Sequence, residues 1–533
     1  MLLDVLREQV GVHSVKDGCS PQGQCGCCTV WVDGAPRVSC VTPVRRLSGR
    51  SVITLDGLPE PDRQAWAESL VSTGGSQCGF CTPGIIMRLA ALLGPVSPAS
   101  TPLAPAAPSG AKVEQALVAH LCRCTGWQTI VEAASRLHDG AARGDTGLRD
   151  LDQAARRAAL EGGVPQRVGM QVALGQVEFG DDGWPAGALV AVPDGKGGYA
   201  VGESMAEARR TAGKVQGRST SLALGYPVPA PPGDWAVSLM TTWVEPAYVE
   251  PDAAWCAPGG EPTSPFANGG AFGGKLHSSV GADARRLADE HGRPVRVVWS
   301  REDVVRYGPK RFPVAGGARA DGSGVLRVGV TGGSVTADQW TTIKTDVAAA
   351  APGLVLELVE VEGPPTSSDL RAAVWAEAAV LSACGRAAAE GARSAGAGVR
   401  DLAVVVSGPG GGRAVARCLS DDTVEVTVDG GEVLDEVVLR SYCIGAAHQA
   451  LGWVGTEGIA VDEAGTVRDL TVRSFGIIQA RSMPEIRVTI ENGSGHPPVR
   501  ASDSVFAAVA AVRWLADGLP EAWPTRRGGQ PRV

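Results

Sequence analysis

Nine of the chain's 13 cysteines fall within its first 124 residues, at positions 19, 25, 27, 28, 40, 78, 81, 122 and 124, whereas the other four (256, 384, 418, 443) are scattered. The odd total, and a start (MLLDVLREQVGVHSVKDGC) with no cationic leader and apolar core, argue against a secreted disulfide framework. Clustered thiols in such a chain read as metal ligands. The formal charge of −8 excludes a broad cationic footprint for nucleic acid or anionic lipid, so small molecules and electron-carrying proteins are the expected partners. The 533 residues predict three or four domains. Glycine (71) and proline (36) are abundant, yet 44% of residues are hydrophobic, which describes a loop-rich globular protein rather than a disordered one. No run of 18 apolar residues occurs, and the chain is read as cytoplasmic, without membrane contact.

The first thiol group is Gly18-Cys19-Ser-Pro-Gln-Gly-Gln-Cys25-Gly-Cys27-Cys28, followed by Cys40. Glycines permit positive φ and let backbone N–H groups approach inorganic sulfur. Thr29–Val32 alternates like a strand, and Asp33-Gly34 is a hairpin signal that returns the chain to Cys40. The second group is Cys78-Gly-Phe-Cys81 with Cys122-Arg-Cys124. Thr82 is the expected N-cap and Pro83 the first residue of a helix whose buried face carries Ile85, Ile86, Leu89, Leu92 and Leu93. Val113–Leu121 and Ile130–Leu137 repeat that spacing, so four thiols would sit at helix ends, while the proline-rich stretch from Gly94 to Gly110 should loop out. Zinc in tetrahedral thiolate sites is the alternative to iron–sulfur chemistry. Two four-thiol groups without neighbouring histidines favour the latter, and Cys27 is spare.

These strings, GCSPQGQCGCCTV with Cys40 and then QCGFCTPG with CRCTG, resemble the iron–sulfur portion of the xanthine dehydrogenase/aldehyde oxidase family of molybdenum hydroxylases. The resemblance implies an α+β architecture. Residues 1–75 would form a β-grasp ferredoxin-like [2Fe-2S] domain lacking its usual leading hairpin, and residues 76–140 a helical-bundle [2Fe-2S] domain. Residues 141–170 would be a linker with a helical Leu148–Leu160 segment, and residues 171–533 a reduced, mixed α/β molybdopterin-binding-like region. By the same resemblance Cys19, Cys25, Cys28 and Cys40 would hold one cluster, and Cys78, Cys81, Cys122 and Cys124 the other.

Beyond the linker the likeness is patchy. Gly269, Gly270, Ala271, Phe272, Gly273 and Gly274 resemble the family's glycine-rich loop beside a molybdenum-pterin, flanked by Trp243–Pro246, Val249–Pro251 and a strand from Arg293 to Glu302. Thr423–Val428 should be a strand, turned at Asp429-Gly430 and continued by Val437–Leu439, and Ser441–Gly452 resembles the family's small-residue helix. Asp503 stands roughly where the family places its catalytic glutamate, and is alternatively the cap of a Val505–Leu515 helix. The implied function is an oxidoreductase component that passes electrons from a molybdenum-pterin site through two [2Fe-2S] clusters to FAD. The substrate class is a heteroaromatic compound or an aldehyde. No flavin segment is evident, so FAD belongs on a partner subunit, and the molybdopterin on this chain or on a further one. The alternatives are an electron-transfer subunit with a non-catalytic C-terminal scaffold, and a zinc-stabilised interaction protein.

Overall fold

The structure, a computed structural model, describes residues 1–94, 109–138, 149–213, 220–266, 268–393, 402–491 and 495–526, with side chains through 389 in the segment that ends at 393. The Gly94–Gly110 stretch therefore lies almost entirely outside the described residues.

Strands Thr29–Val32 and Ala35–Val38 form the expected hairpin. Asp33 and Gly34 turn it at φ 49° and 76°, the paired positive values that a two-residue type I′ connection needs. Val52–Ile53 adds a third antiparallel strand on the other side of Thr29–Val32. Against this sheet packs the Thr82–Leu93 helix, whose Trp31 contact is a hydrogen bond from the indole N–H to the Met87 carbonyl (2.7 Å). Ile85, Ile86, Leu89 and Leu93 are buried as expected, but Leu92 is exposed, and the N-cap is Cys81 rather than Thr82. Helices Glu60–Thr73, Gly110–Ala116 and Gln128–His138 complete a small bundle around the second thiol group.

The remainder is built on three further sheets. One has five strands, with Val314–Ala318 central between Gly324–Val330 and Val237–Thr241. A four-stranded sheet contains Val295–Val298, and the other contains Val424–Asp429. Parallel and antiparallel pairs coexist in all three, which agrees with the mixed α and β architecture. Two long buried helices, Glu436–Gly455 and Ser502–Ala516, lie together at the centre of the molecule. Their small side chains let the helices pack closely, since Ala446, Ala447, Ala450, Ala507, Ala508 and Ala511 are fully buried.

Two local expectations are corrected. Val437–Leu439 is helical, because the Asp435 carboxylate accepts from Val438 N–H and caps the Glu436–Gly455 helix in the place where a strand was expected. Ser300 likewise ends the strand region and starts the Arg301–Tyr307 helix, in a capping box with Asp303. Within residues 141–170, expected to be a linker with a helical segment, the described part holds the Leu151–Gly162 helix. Its Arg157 and Glu161 are wholly buried and paired, with Arg157 donating to the Gly430 carbonyl and Glu161 accepting from Ala501 and Ser502 N–H.

Candidate metal centres

Cys19, Cys25, Cys28 and Cys40 come together on the loop before the hairpin and the turn that follows it. Ser39 ties that turn back, donating from both N–H (3.1 Å) and Oγ (2.9 Å) to the Cys28 carbonyl. Cys19 Sγ accepts from the N–H groups of Gln22 (3.2 Å) and Gln24 (3.4 Å). Hydrogen bonds from the Cys25 and Cys40 thiols, ahead of the cost of burial, pull Cys19 well below the usual thiol range, and push its two partners up. Four thiolates require metal charge to balance them.

The second group assembles from two places. Cys78 and Cys81 precede the Thr82–Leu93 helix, and Cys122 and Cys124 precede the Gln128–His138 helix. Cys124 Sγ lies 3.6 Å from Cys78 Sγ. The Cys81 thiol, and then Thr125 Oγ1 at 3.1 Å, draw Cys122 down to about 6, while Cys81 and Cys124 are pushed up by their sulfur partners. Seven of these eight cysteines are buried and Cys78 is half-buried. Among the described residues no three His, Cys, Asp or Glu side chains are arranged to hold one single ion. The donor set is all sulfur in two fours, with backbone N–H groups aimed at Cys19. That suits a pair of [2Fe-2S] clusters, each of which spreads four thiolates over two irons.

The two groups are neighbours. Leu121 N–H, one residue before Cys122, donates to the Cys25 carbonyl at 3.0 Å. Gly26 admits no side chain, because at φ +72° its Cβ would stand 2.5 Å from the His120 ring. Cys27 is fully buried and takes part in no pair with a histidine or carboxylate; its thiol lies 3.8 Å from the Cys25 carbonyl.

The glycine-rich loop lies against the second group. A Cβ on Gly270 would be 2.7 Å from Cys78 Cβ, 3.1 Å from Cys78 Sγ and 3.3 Å from Cys124 Sγ, and one on Gly273 would strike the Asp369 carbonyl at 1.9 Å. The cavities beside the loop hold only about 10 and 30 Å³, room for one or two water molecules. As packed here, Gly269–Gly274 is filled by the chain's own atoms and does not fit around a pterin. Asp503 is not the helix cap, which is Ala501. Asp503 is buried, and its carboxylate bridges Arg371 Nε (3.0 Å) and Arg500 Nε (3.1 Å), so a role as base would require giving up these pairs. Cys443 and His448 are both fully buried in the Glu436–Gly455 helix.

Sequence reasoning missed the charged residues around the sulfur groups. Arg123, between Cys122 and Cys124, forms a buried bidentate pair with Glu457 and donates to the Pro246 carbonyl at 3.0 Å. Lys16, wholly buried, reaches Asp182 at 2.7 Å. The signal was faint, since each partner lies more than 120 residues away along the chain.

Residues 54–135 match the [2Fe-2S] binding domain family. The chain is therefore an iron–sulfur protein by class. It is 42% identical over 135 residues to the xanthine dehydrogenase iron-sulfur-binding subunit of Escherichia coli O157:H7, an alignment spanning 24% of this chain and 77% of that protein. It is 38% identical over 130 residues to the nicotinate dehydrogenase small FeS subunit of Eubacterium barkeri, spanning 24% and 76%. The chain belongs to the xanthine dehydrogenase-type family of molybdenum hydroxylases and is an oxidoreductase. In fold it is similar along 99% of its length to the aldehyde oxidoreductase of Desulfovibrio gigas, with a TM-score of 0.68, 15% identity and 97% of that chain covered. No helix among the described residues is long and apolar enough to cross a membrane.

Proposed function

We propose that this chain is the electron-relaying component of a multi-subunit molybdenum hydroxylase. Cys19, Cys25, Cys28 and Cys40 hold one [2Fe-2S] cluster, and Cys78, Cys81, Cys122 and Cys124 the other. Residues 1–75 form the ferredoxin-like domain, 76–140 the helical one, and the remainder a scaffold that covers both. The observation that carries this reading is the convergence of eight thiols in two fours, seven of them buried, bridged by the Leu121–Cys25 hydrogen bond. Bound clusters supply one-electron storage. The protein excludes water from them, donates hydrogen bonds to Cys19 and holds the two groups adjacent.

The molybdenum-pterin and FAD reside on partner subunits, and the substrate is a heteroaromatic compound or an aldehyde oxidised on the molybdenum subunit. The relatives support this division, because they are named as separate iron–sulfur subunits of dehydrogenases. A second reading, in which residues 171–533 themselves hold molybdenum and Asp503 serves as base, rests on the whole-length fold similarity to an aldehyde oxidoreductase.

Metal analysis of the purified chain separates the readings. Four irons without molybdenum are expected; four irons with one molybdenum would favour the second reading, and zinc without acid-labile sulfide would remove both. Cys78→Ser or Cys122→Ser should abolish one of two paramagnetic signals of the reduced protein and leave the other, and persistence of both would refute the ligand assignment.

A further inference from the structure

Val249 closes over the sulfur groups from the later part of the chain: its Cγ1 would lie 3.0 Å from a Cβ on Gly18, and it lines a cavity with Cys78, Cys81 and Cys124. The groups touch each other elsewhere, at Gly26 and His120. Gly26 follows Cys25 of the first group, and His120 stands two residues before Cys122 of the second. The His120 ring occupies the space that a side chain on Gly26 would need, with Cδ2 2.5 Å and Cγ 2.7 Å from its Cβ position. The first turn of the Thr82–Leu93 helix closes in as well, since a Cβ on Gly84 would strike the Gly26 carbonyl oxygen. Gly26 is thus enclosed by the two segments that carry Cys81 and Cys122.

Thr29, the first residue of the Thr29–Val32 strand, pins this ring. Its Oγ1 donates to the Gly26 carbonyl at 2.6 Å, which commits the hydroxyl proton, so the oxygen accepts from His120 Nε2–H at 3.3 Å. Both residues are buried. The His120 N–H donates to the Leu117 carbonyl at 2.8 Å and holds the backbone from the other side. Because the peptide group between Cys25 and Gly26 is planar, a ring set against Gly26 fixes where the Cys25 carbonyl points. That carbonyl accepts from Leu121 N–H at 3.0 Å. From a thiol of one group to a thiol of the other, the route through Cys25, Leu121 and Cys122 therefore crosses covalent bonds and a single hydrogen bond, whose two ends the His120–Thr29 pair keeps in register.

We propose that His120 is a positioning residue for electron passage between the two centres: pinned by Thr29, it sets the Cys25–Leu121 hydrogen bond through which they couple. The inference rests on the cluster assignment above and goes beyond it by naming the residues that set the coupling. One electron leaves one centre, which is oxidised, and enters the other, which is reduced, while His120 and Thr29 keep their protons.

The test is electron paramagnetic resonance of the full chain reduced anaerobically with excess dithionite, which puts one electron on each centre, so that the splitting of the two signals reads their coupling. The wild-type signals should be split. Thr29→Val removes the hydroxyl at nearly constant shape, and His120→Leu removes the ring N–H. Both should lose most of the splitting while keeping the wild-type iron content, and Thr29→Ser should restore it. Thr29→Val carries the test if His120→Leu does not fold. Wild-type splitting in either variant, no splitting in the wild type, or no recovery in Thr29→Ser overturns the proposal. Loss of iron from Thr29→Val overturns it too, because the pair would then build the centres rather than couple them. If the wild-type chain shows no cluster signal at all, the cluster assignment itself has failed instead.

Discussion

His448 shows how burial fixes the chemistry of a single residue. It sits at zero exposure in the Glu436–Gly455 helix, with Nε2 3.1 Å from the Ile478 carbonyl and Nδ1 without a hydrogen-bond partner in the protein. Burial, then repulsion from Arg123, lowers it to about 3. The unfolded chain takes up this proton near pH 6.5 and the folded chain only near 3, so stability is complete above 6.5 and declines as pH falls through that window. Between pH 7.5 and 5.5 this one group should remove about 1 kcal/mol, and His448→Gln should flatten that part of the curve in urea unfolding.

At the scale of elements, the loop 269–274 acts as a wedge against the second sulfur group. Gly270→Val would place a branched side chain on Cys78 and Cys124 at a φ of +83°, and should cut iron from about four per chain towards two, with loss of one paramagnetic signal. Gly213→Val, at a φ of +64° with nothing within 4 Å, is the control for backbone strain and should keep all the iron. The elements most legible in the sequence were those specified locally. The 29–38 hairpin follows from Asp33-Gly34, and the helix at 82 from Pro83 after two cysteines. The helix at 436 was obscured because Val437–Leu439 looks like a strand continuation, although Asp435 followed by Glu436 is an N-terminal capping signal. For the candidate site, thiol spacing disclosed the eight sulfurs. The loop's role against Cys78 was illegible because it depends on a contact between residues 192 positions apart.

Over the whole molecule, the cysteine-bearing part and the rest are joined by buried charge rather than by a hinge. Lys16 and Arg7 both reach Asp182, Arg123 reaches Glu457, and Arg296 reaches Glu8. Thermal unfolding followed by loss of cluster absorbance and by tryptophan fluorescence should therefore give coincident transitions. Lys16→Met should lower both together, by about 3 kcal/mol, because it breaks a buried pair while Arg7 still serves Asp182. Two separated transitions would show that the parts are energetically independent.

The cover over the sulfur groups also has an order in time. Translation delivers the eight cysteines first, whereas Val249, Gly270 and Glu457, which close over them, emerge more than a hundred residues later. Inorganic sulfur and iron thus have an early interval in which to enter while the ribosome is still extending the polypeptide. A finished chain that missed this interval has to unlock its interior before it can be repaired.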